Sequence, residues 1–117
     1  MRDFKKLMVW QKGMDIVEEI YNASDEFPSE EKYGMRSQAT RCAVSIPANI
    51  AEGSAKSSKK EYKYFLEIAL GSSFELETHI LIAHRLKWLK EEVVHGLLKI
   101  ITDEQRMLTS FIDKLKA

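Results

Sequence analysis

The sequence predicts an all-α protein, an antiparallel up-down-up-down four-helix bundle that forms a single domain over residues 1–117. Apolar residues recur at spacings of three and four along most of the chain, which is the pattern of amphipathic helices. Only two prolines and five glycines interrupt this pattern, and β-branched residues rarely cluster. The connections between the predicted helices are short, so consecutive helices should run antiparallel around one core.

The first helix is predicted from about Val9 to about Asp25, and it should end before Phe27-Pro28 because proline cannot continue a helix. Two adjacent apolar stripes give this helix a wide apolar arc. The first stripe contains Val9, Gly13, Ile16 and Ile20, and the second contains Trp10, Met14, Val17 and Tyr21.

The second helix is predicted from Ser29, as N-cap, to about Glu52. It has two apolar faces, and the side chains of the second face are mostly small, as a close neighbour would require. The first face contains Met35, Ala39, Cys42, Ala43, Ile46 and Ile50, and the second contains Val44, Ala48 and Ala51. Pro47 should either kink this helix or begin a new one, and Gly53 is predicted to be its C-terminal cap.

The third helix should begin at a capping box formed by Ser58 and Glu61. The small residues at 71–73 are unfavourable inside a helix and predict the close approach of another helix. A single helix from there to the end of the chain would be unusually long, so a break must exist although its local signal is poor. We place this break at residues 87–90, with the fourth helix starting at Glu91.

The predicted fourth helix is more apolar than the core of one chain requires. Between Val93 and Leu115, eleven of 23 residues are apolar, whereas a helix in a bundle needs about three in seven. The first helix has a similar surplus. Since soluble monomers rarely expose large apolar patches, the surplus predicts a homo-oligomer whose subunits contact one another through these two helices.

Composition narrows the classes of function. The chain has 18 basic and 18 acidic residues, and this zero formal net charge is unlike that of a dedicated nucleic-acid-binding protein. No signal peptide or membrane-spanning segment is evident, so a cytoplasmic location is expected. The lone cysteine, Cys42, lies on an apolar helical face and should pack as a small hydrophobic residue.

The sequence contains few of the residue patterns that are typical of enzymes. Glu92 and His95 have the Glu-x-x-His spacing of di-metal bundles, but such sites need a second motif, so a surface pair is the favoured interpretation. Cys42 is placed on an apolar face, where a reactive thiolate is not expected. No nucleotide-binding loop is present. We therefore predict a non-enzymatic protein without a metal or cofactor.

A polar stripe between the two apolar faces of the second helix is a stronger candidate. Together with two acidic residues of the third helix, it contains Gln38, Arg41, Ser45, Asn49, Glu52, Glu75 and Glu77. These groups could bind a polar ligand. The favoured interpretation is a buried polar network that fixes helix register or the subunit interface.

Four lysines near the start of the third helix form the strongest basic cluster: Lys56, Lys59, Lys60 and Lys63. Tyrosines at positions 62 and 64 lie between them. Lysine at a helix N-terminus opposes the helix dipole, which favours a functional role such as contact with a phosphate backbone. The favoured alternative is that these lysines are exposed to solvent at the start of the helix and have no binding role.

Several blocks of the sequence resemble one known family. They are Val9-Trp10-Gln11-Lys12, Phe27-Pro28, Glu31-Lys32-Tyr33-Gly34, the segment SIPANIAEG at 45–53, Gly71-Ser72-Ser73 and Glu75-Leu76-Glu77-Thr78. This is the family of small bacterial four-helix bundle proteins named after the intervening sequences of 23S ribosomal RNA genes, and the resemblance extends from about Phe4 to about Leu115. Cys42 departs from the family, which usually has a basic residue or alanine there.

The resemblance implies a left-handed antiparallel bundle that commonly assembles as a ring-shaped homopentamer, and it implies little about activity. A distant relative, the accessory variability protein of diversity-generating retroelements, is strongly basic and binds nucleic acid. Two hypotheses follow. The first is a homo-oligomeric scaffold or adaptor with an unidentified partner, and the alternative is an accessory protein that binds RNA or DNA through the lysine cluster.

Overall fold

The computed structural model describes residues 2–116, and over this range the chain is helical without a β-strand. Its four α-helices are α1 (Met8–Ser24), α2 (Met35–Ser54), α3 (Lys59–Arg85) and α4 (Glu91–Lys116). Short 3-10 turns at Phe4–Lys6 and Ser29–Glu31 precede α1 and α2. Each helix packs on the next along the chain, and α4 returns to α1, which confirms the predicted four-helix bundle. None of the described helices is long and apolar enough to cross a membrane.

The core follows the helical periodicity of the sequence. The bundle measures 43 × 24 × 20 Å, and α3, which at 27 residues is about 40 Å long, must run along its long axis. Large aliphatic side chains from every helix meet on this axis and are completely or almost completely buried: Ile16, Ile20, Ile46, Ile50, Leu66, Leu76, Ile80, Ile101 and Leu108. The predicted core stripes are therefore the packed faces of the bundle.

The predicted start of the second helix at Ser29 is wrong. Ser29 begins only a 3-10 turn, and its hydroxyl donates to the side chain of Glu30 instead of capping a helix. The α-helix begins at Met35, whose backbone N–H donates to Glu31 Oε1 at 3.0 Å. A side chain at Gly34 would crowd that carboxylate, because its Cβ would lie 2.8 Å from Glu31 Oε1. Glu31 therefore caps α2 through the space that a glycine leaves.

Pro47 lies inside one continuous helix, so the alternative of a new helix starting there is wrong. The proline ring is buried against α1, where a Cβ at Gly13 would lie 3.4 Å from Pro47 Cβ and Cδ. Because Gly13 has no side chain, α1 and α2 can approach closely next to Pro47, the residue of α2 that has no backbone N–H to donate.

Gly53 is not the predicted C-terminal cap. It lies within the last turn of α2, which ends at Ser54, and no glycine in residues 2–116 has a positive φ. Its role is close packing, because a Cβ at this position would lie 2.9 Å from Phe65 Cβ and 3.2 Å from the carbonyl oxygen of Tyr62. The glycine therefore sets the distance between the end of α2 and the start of α3.

The two predicted boundaries of α3 agree with the structure. Ser58 is the N-cap, and its Oγ accepts a hydrogen bond from the backbone N–H of Glu61 at 3.1 Å. At the other end, Lys87 has a φ of 62°, and backbone hydrogen bonds close a Schellman motif from Lys87 to His84 and from Trp88 to Ala83. A Schellman motif usually has glycine at the position of Lys87, which explains why the sequence carries no clear signal.

The surplus apolar surface predicted for α4 is mostly covered by the chain itself. Most side chains beyond the core stripe are half-buried and pack against the core: Leu98, Ile100, Met107, Phe111 and Leu115. Only Val93 among the large hydrophobic residues of α4 is exposed. The outer face of α4 is polar, with Glu92, His95, Lys99, Asp103, Arg106, Ser110 and Asp113. A wide apolar arc fits this helix because it packs between α1 and α3.

Candidate functional site

The predicted polar stripe divides into separate groups. Ser45 and Asn49 are half-buried between α2 and α3. Ser45 Oγ lies 2.8 Å from Ser72 Oγ, and Asn49 Nδ2 donates to the carbonyl oxygen and hydroxyl of Ser45 at 2.8 and 2.9 Å. Ser72 was not among the predicted members, although its place in the small-residue run at 71–73 was a signal for close helix approach. These three residues form a short polar bridge between the two helices.

The other predicted members do not join this bridge. In the single chain, Gln38, Arg41, Glu52 and Glu75 are exposed. Glu77 lies on the opposite side of α3, where it accepts a hydrogen bond from Gln105 Nε2 of α4 at 2.9 Å. The seven residues are therefore not one buried network within the chain, because positions 75 and 77 of a helix point about 200° apart.

Glu75 instead belongs to a cluster that was not predicted from the sequence. Cys42 of α2 and His79 of α3 are buried beside it, and one donor atom from each of the three residues lies within 4.8 Å of the other two. His79 Nε2 is 3.5 Å from Glu75 Oε2, and Cys42 Sγ donates to the carbonyl oxygen of Ser72 at 3.0 Å. Glu75 and His79 have an i, i+4 spacing, which places both on one face of α3 and was the available signal.

The cysteine is not an activated nucleophile in this setting. Burial and the negative charge of Glu75 raise the pKa of the Cys42 thiol to about 12. The thiol is therefore protonated at neutral pH, whereas reactive cysteines need a stabilised thiolate. This agrees with the placement of Cys42 on a packed helix face.

A second buried ionisable group, Glu104, lies on the core face of α4. Its side chain is 0% exposed, and neither carboxylate oxygen has a hydrogen-bond partner within residues 2–116. Burial raises the pKa of Glu104 to about 8, and Lys12 of α1 partly opposes this shift. The carboxyl group lies at the contact of α1 with α4, since a Cβ at Gly13 would be 3.1 Å from its Oε2. Its spacing of three and four from Ile101 and Leu108 was the signal for burial.

The predicted lysine cluster is spread over two sides of α3. Lys59 and Lys60 are exposed and Lys63 is half-buried. Lys56 precedes the helix, and its ammonium group lies over the ring of Phe65, 5.1 Å from the centroid. Because residues 63 and 65 point about 200° apart on a helix, Lys56 lies on the side facing α2, away from Lys63. Three of the four lysines thus share one surface.

A run of exposed apolar side chains lies on the outer side of α3, and α1 also exposes Met14 and Tyr21 of its predicted apolar arc. Tyr64 and Phe74 are 59% and 53% exposed, and Leu81 and Ile82 are also exposed. Gly71 lies between them with open space where a side chain would be. On the neighbouring helix α2, the predicted small-residue face is open as well, with Val44 and Ala48 exposed and Ala51 half-buried.

The Glu92-x-x-His95 motif is a surface feature. Both side chains are exposed on the outer face of α4. Within the described part of the chain, this pair is not part of a group of three potential metal ligands. Such a group is formed there by Cys42, Glu75 and His79.

Comparisons with known proteins agree with this architecture. A search among curated proteins found no match. A solved structure that resembles this one is the crystal structure of a protein with unknown function from the S23 ribosomal protein family of Bacteroides thetaiotaomicron. The two share 24% sequence identity with a TM-score of 0.84, and the match covers 90% of this chain and 98% of the other. At this identity the likeness shows the fold alone.

The family assignment rests on the sequence. The family described as 23S rRNA-intervening sequence protein matches residues 5–110, which is nearly the whole chain. The same range contains the sequence blocks that carry the resemblance and all four helices up to the last turns of α4. The chain therefore belongs to the 23S rRNA-intervening sequence protein family.

Proposed function

We propose that this protein is a non-enzymatic homo-oligomeric scaffold or adaptor whose further partner is unidentified. The observation that carries the proposal is the apolar outer side of α3, where Tyr64, Phe74, Leu81 and Ile82 are exposed in the single chain. Soluble monomers rarely expose a run of large apolar side chains along one helix, so this surface is suited to contact with another protein surface.

A second copy of this chain is the occupant that the remaining features favour. The formal net charge is zero, so identical subunits do not repel one another strongly. The exposed small-residue face of α2, with Val44 and Ala48, is shallow enough for another helix to approach closely. Contact between the outer side of α3 and a different face of a second subunit would be heterologous, and repetition of such a contact closes a ring. Five subunits are expected from the family resemblance.

Light scattering coupled to size-exclusion chromatography tests this proposal. The protein should have a mass several times the 13.5 kDa of this chain, and five subunits are expected. The double variant Phe74→Glu with Leu81→Glu should dissociate, because it places charges within the apolar surface of α3. The matched double variant His95→Glu with Ser110→Glu changes the polar outer face of α4 and should keep the wild-type mass.

One result would contradict the proposed homo-oligomer, and another would contradict its assignment to the outer side of α3. One is a monodisperse wild-type monomer at micromolar concentration. The other is an α3 double variant that remains folded by circular dichroism and keeps the mass of the wild-type oligomer. The second result would show that subunits associate through a different surface.

The alternative function, binding of RNA or DNA, also has a specific observation in its favour. Lys59 and Lys60 are exposed in the first turn of α3, and no carboxylate within residues 2–116 lies within 4.0 Å of either ammonium group. In a ring, copies of this surface would form a basic rim that can contact phosphates.

A further inference from the structure

We propose that Cys42, Glu75 and His79 form a binding site for a zinc ion that joins α2 to α3. This inference does not depend on the proposed scaffold function. The three residues supply a thiol, a carboxylate and an imidazole, which are the side chains that bind Zn²⁺ in proteins. The ion would link two helices whose direct polar contacts are otherwise few.

The geometry is close to what a zinc ion requires. One donor atom from each residue already lies within 4.8 Å of the other two. Tetrahedral zinc with bonds of about 2.0–2.3 Å places its ligand atoms roughly 3.3–3.8 Å apart. A contraction on the order of 1 Å is sufficient, and the exposed side chain of Glu75 can supply much of it by rotation. The i, i+4 spacing keeps Glu75 and His79 on one helical face during this movement.

His79 is the observation that points to a ligand. The residue is 8% exposed, and neither ring nitrogen makes a hydrogen bond within the described chain. Buried polar side chains are nearly always hydrogen-bonded, so an imidazole in this state requires an explanation. Coordination of a metal ion by Nε2, which faces Glu75 Oε2 at 3.5 Å, would give a partner to one of these two nitrogens.

The donor set selects the kind of metal. A thiolate with an imidazole is too soft a combination for Mg²⁺ or Ca²⁺, and it suits zinc and related transition metals. Cys42 would release its proton when the metal binds, and the carbonyl oxygen of Ser72 would lose the hydrogen bond that it now accepts from the thiol. Since Glu75 is exposed, the ion can enter from solvent, and a water molecule can complete a fourth position.

Calorimetric titration of the full-length protein with Zn²⁺, after treatment with a chelator, tests the proposal. We expect one zinc ion per chain and at least tenfold weaker binding in Cys42→Ser, Glu75→Gln and His79→Gln. Matched variants Glu67→Gln and His95→Gln change exposed side chains of the same types and should bind as the wild type does. Titration with Co²⁺ should give a thiolate-to-cobalt charge-transfer band that Cys42→Ser removes.

Thermal unfolding provides a readout that does not depend on the buried ligands. Glu75 is exposed, so Glu75→Gln should fold normally. Added Zn²⁺ should raise the melting temperature of the wild type by much more than it raises that of this variant. The proposal is overturned if the wild type does not bind zinc. It is also overturned if folded Cys42→Ser or Glu75→Gln binds zinc as tightly as the wild type, because the metal would then lie elsewhere.

Discussion

Glu104 shows how a single residue acquires new chemistry from its position. It occupies a core position of α4 and is completely buried, with its carboxyl group close to Gly13 of α1. Burial disfavours the charged form, so the pKa of Glu104 rises to about 8. At neutral pH the folded protein therefore carries a neutral carboxylic acid in its core, and unfolding releases a proton from it.

This proton makes stability depend on pH. The folded state holds the proton up to about pH 8, and the unfolded state loses it near a pKa of 4.5. Between these values the folded state binds more protons, so the free energy of unfolding should fall as pH rises, by about 1.4 kcal/mol per pH unit at most. Urea denaturation at several pH values measures this slope, and Glu104→Gln should flatten it.

Exposed carboxyl groups provide the control for this prediction. Glu18→Gln changes an exposed side chain of α1 and should keep the wild-type slope. Equal slopes for the wild type and Glu104→Gln would contradict the assignment of the pH dependence to the buried carboxyl group. The ammonium group of Lys12 reduces the expected slope without reversing its sign.

Replacement of a helical glycine by alanine should change stability in opposite directions at two positions. A Cβ at Gly53 would lie 2.9 Å from Phe65 Cβ, so Gly53→Ala should push α2 away from α3 and destabilise the protein by about 1–3 kcal/mol. A Cβ at Gly96 would meet no atom within 4 Å, so Gly96→Ala should stabilise it by about 0.5–1 kcal/mol through helix propensity. Chemical denaturation of both variants checks the pair, and a stabilising Gly53→Ala would refute the close contact.

At the scale of elements, the connection between α3 and α4 depends on one strained residue. Lys87 adopts a φ of 62°, a left-handed conformation that costs a residue with a side chain about 1–2 kcal/mol. The surrounding Schellman hydrogen bonds hold it there, and Trp88, the next residue, packs against Phe27 at a centroid distance of 5.2 Å. The turn thus directs α4 back along the bundle at the expense of local backbone strain.

Lys87→Gly should relieve this strain. Glycine adopts the left-handed conformation readily, and the gain should exceed its greater freedom in the unfolded chain, for a net stabilisation of about 0.5–1 kcal/mol. Lys99→Gly, in the regular part of α4, should instead destabilise by about 1 kcal/mol. Thermal denaturation measures this difference. If both variants melt at a lower temperature than the wild type, the left-handed conformation assigned to Lys87 is contradicted.

At the scale of the whole molecule, the distribution of surface groups matters more than the net charge. The chain has as many acidic as basic residues, yet the start of α3 carries Lys59, Lys60 and Lys63 on one surface. The outer side of the same helix further along is apolar, and the outer face of α4 is of mixed charge. The outer side of α3 is therefore basic at its start and apolar further along, and it differs from the outer face of α4.

The basic surface leads to a prediction about nucleic acid. If it binds a phosphate backbone, labelled RNA should shift in a gel at low salt, and affinity should fall steeply as salt rises. A triple variant with glutamate at positions 59, 60 and 63 should lose the shift. Lys56→Glu alone should have a smaller effect, because Lys56 lies over Phe65 on the side that faces α2.

The wild type and a charge control decide the outcome. A variant with glutamate at Lys90 and Lys99, which lie outside the cluster, should still bind if the interaction is local. Absence of any shift for the wild type at low salt would exclude this function. A shift that the triple variant retains would place the nucleic acid on another surface.

The helices and their core faces were predictable because they depend on local periodicity. Apolar spacing of three and four predicted the packed faces of α1 to α4, and the cap at Ser58 follows from side chains only three residues apart. Local signals were wrong or weak where a distant or unexpected group took over. Glu31 caps α2 where Ser29 was expected to do so, and Lys87 occupies a position that usually belongs to glycine.

Sequence by itself thus determined the fold class, the number of helices and the family of this protein. Tertiary structure alone decided which side chains meet across helices: Cys42 with His79, Glu104 with Gly13, and the polar bridge from Ser45 to Ser72. It also showed that exposed apolar side chains lie along α3 and, with Met14 and Tyr21, on α1, whereas the surplus expected on α4 is mostly covered. The physical reason is that periodicity defines the faces of one helix, whereas contacts between faces depend on the register and rotation of helices far apart in sequence.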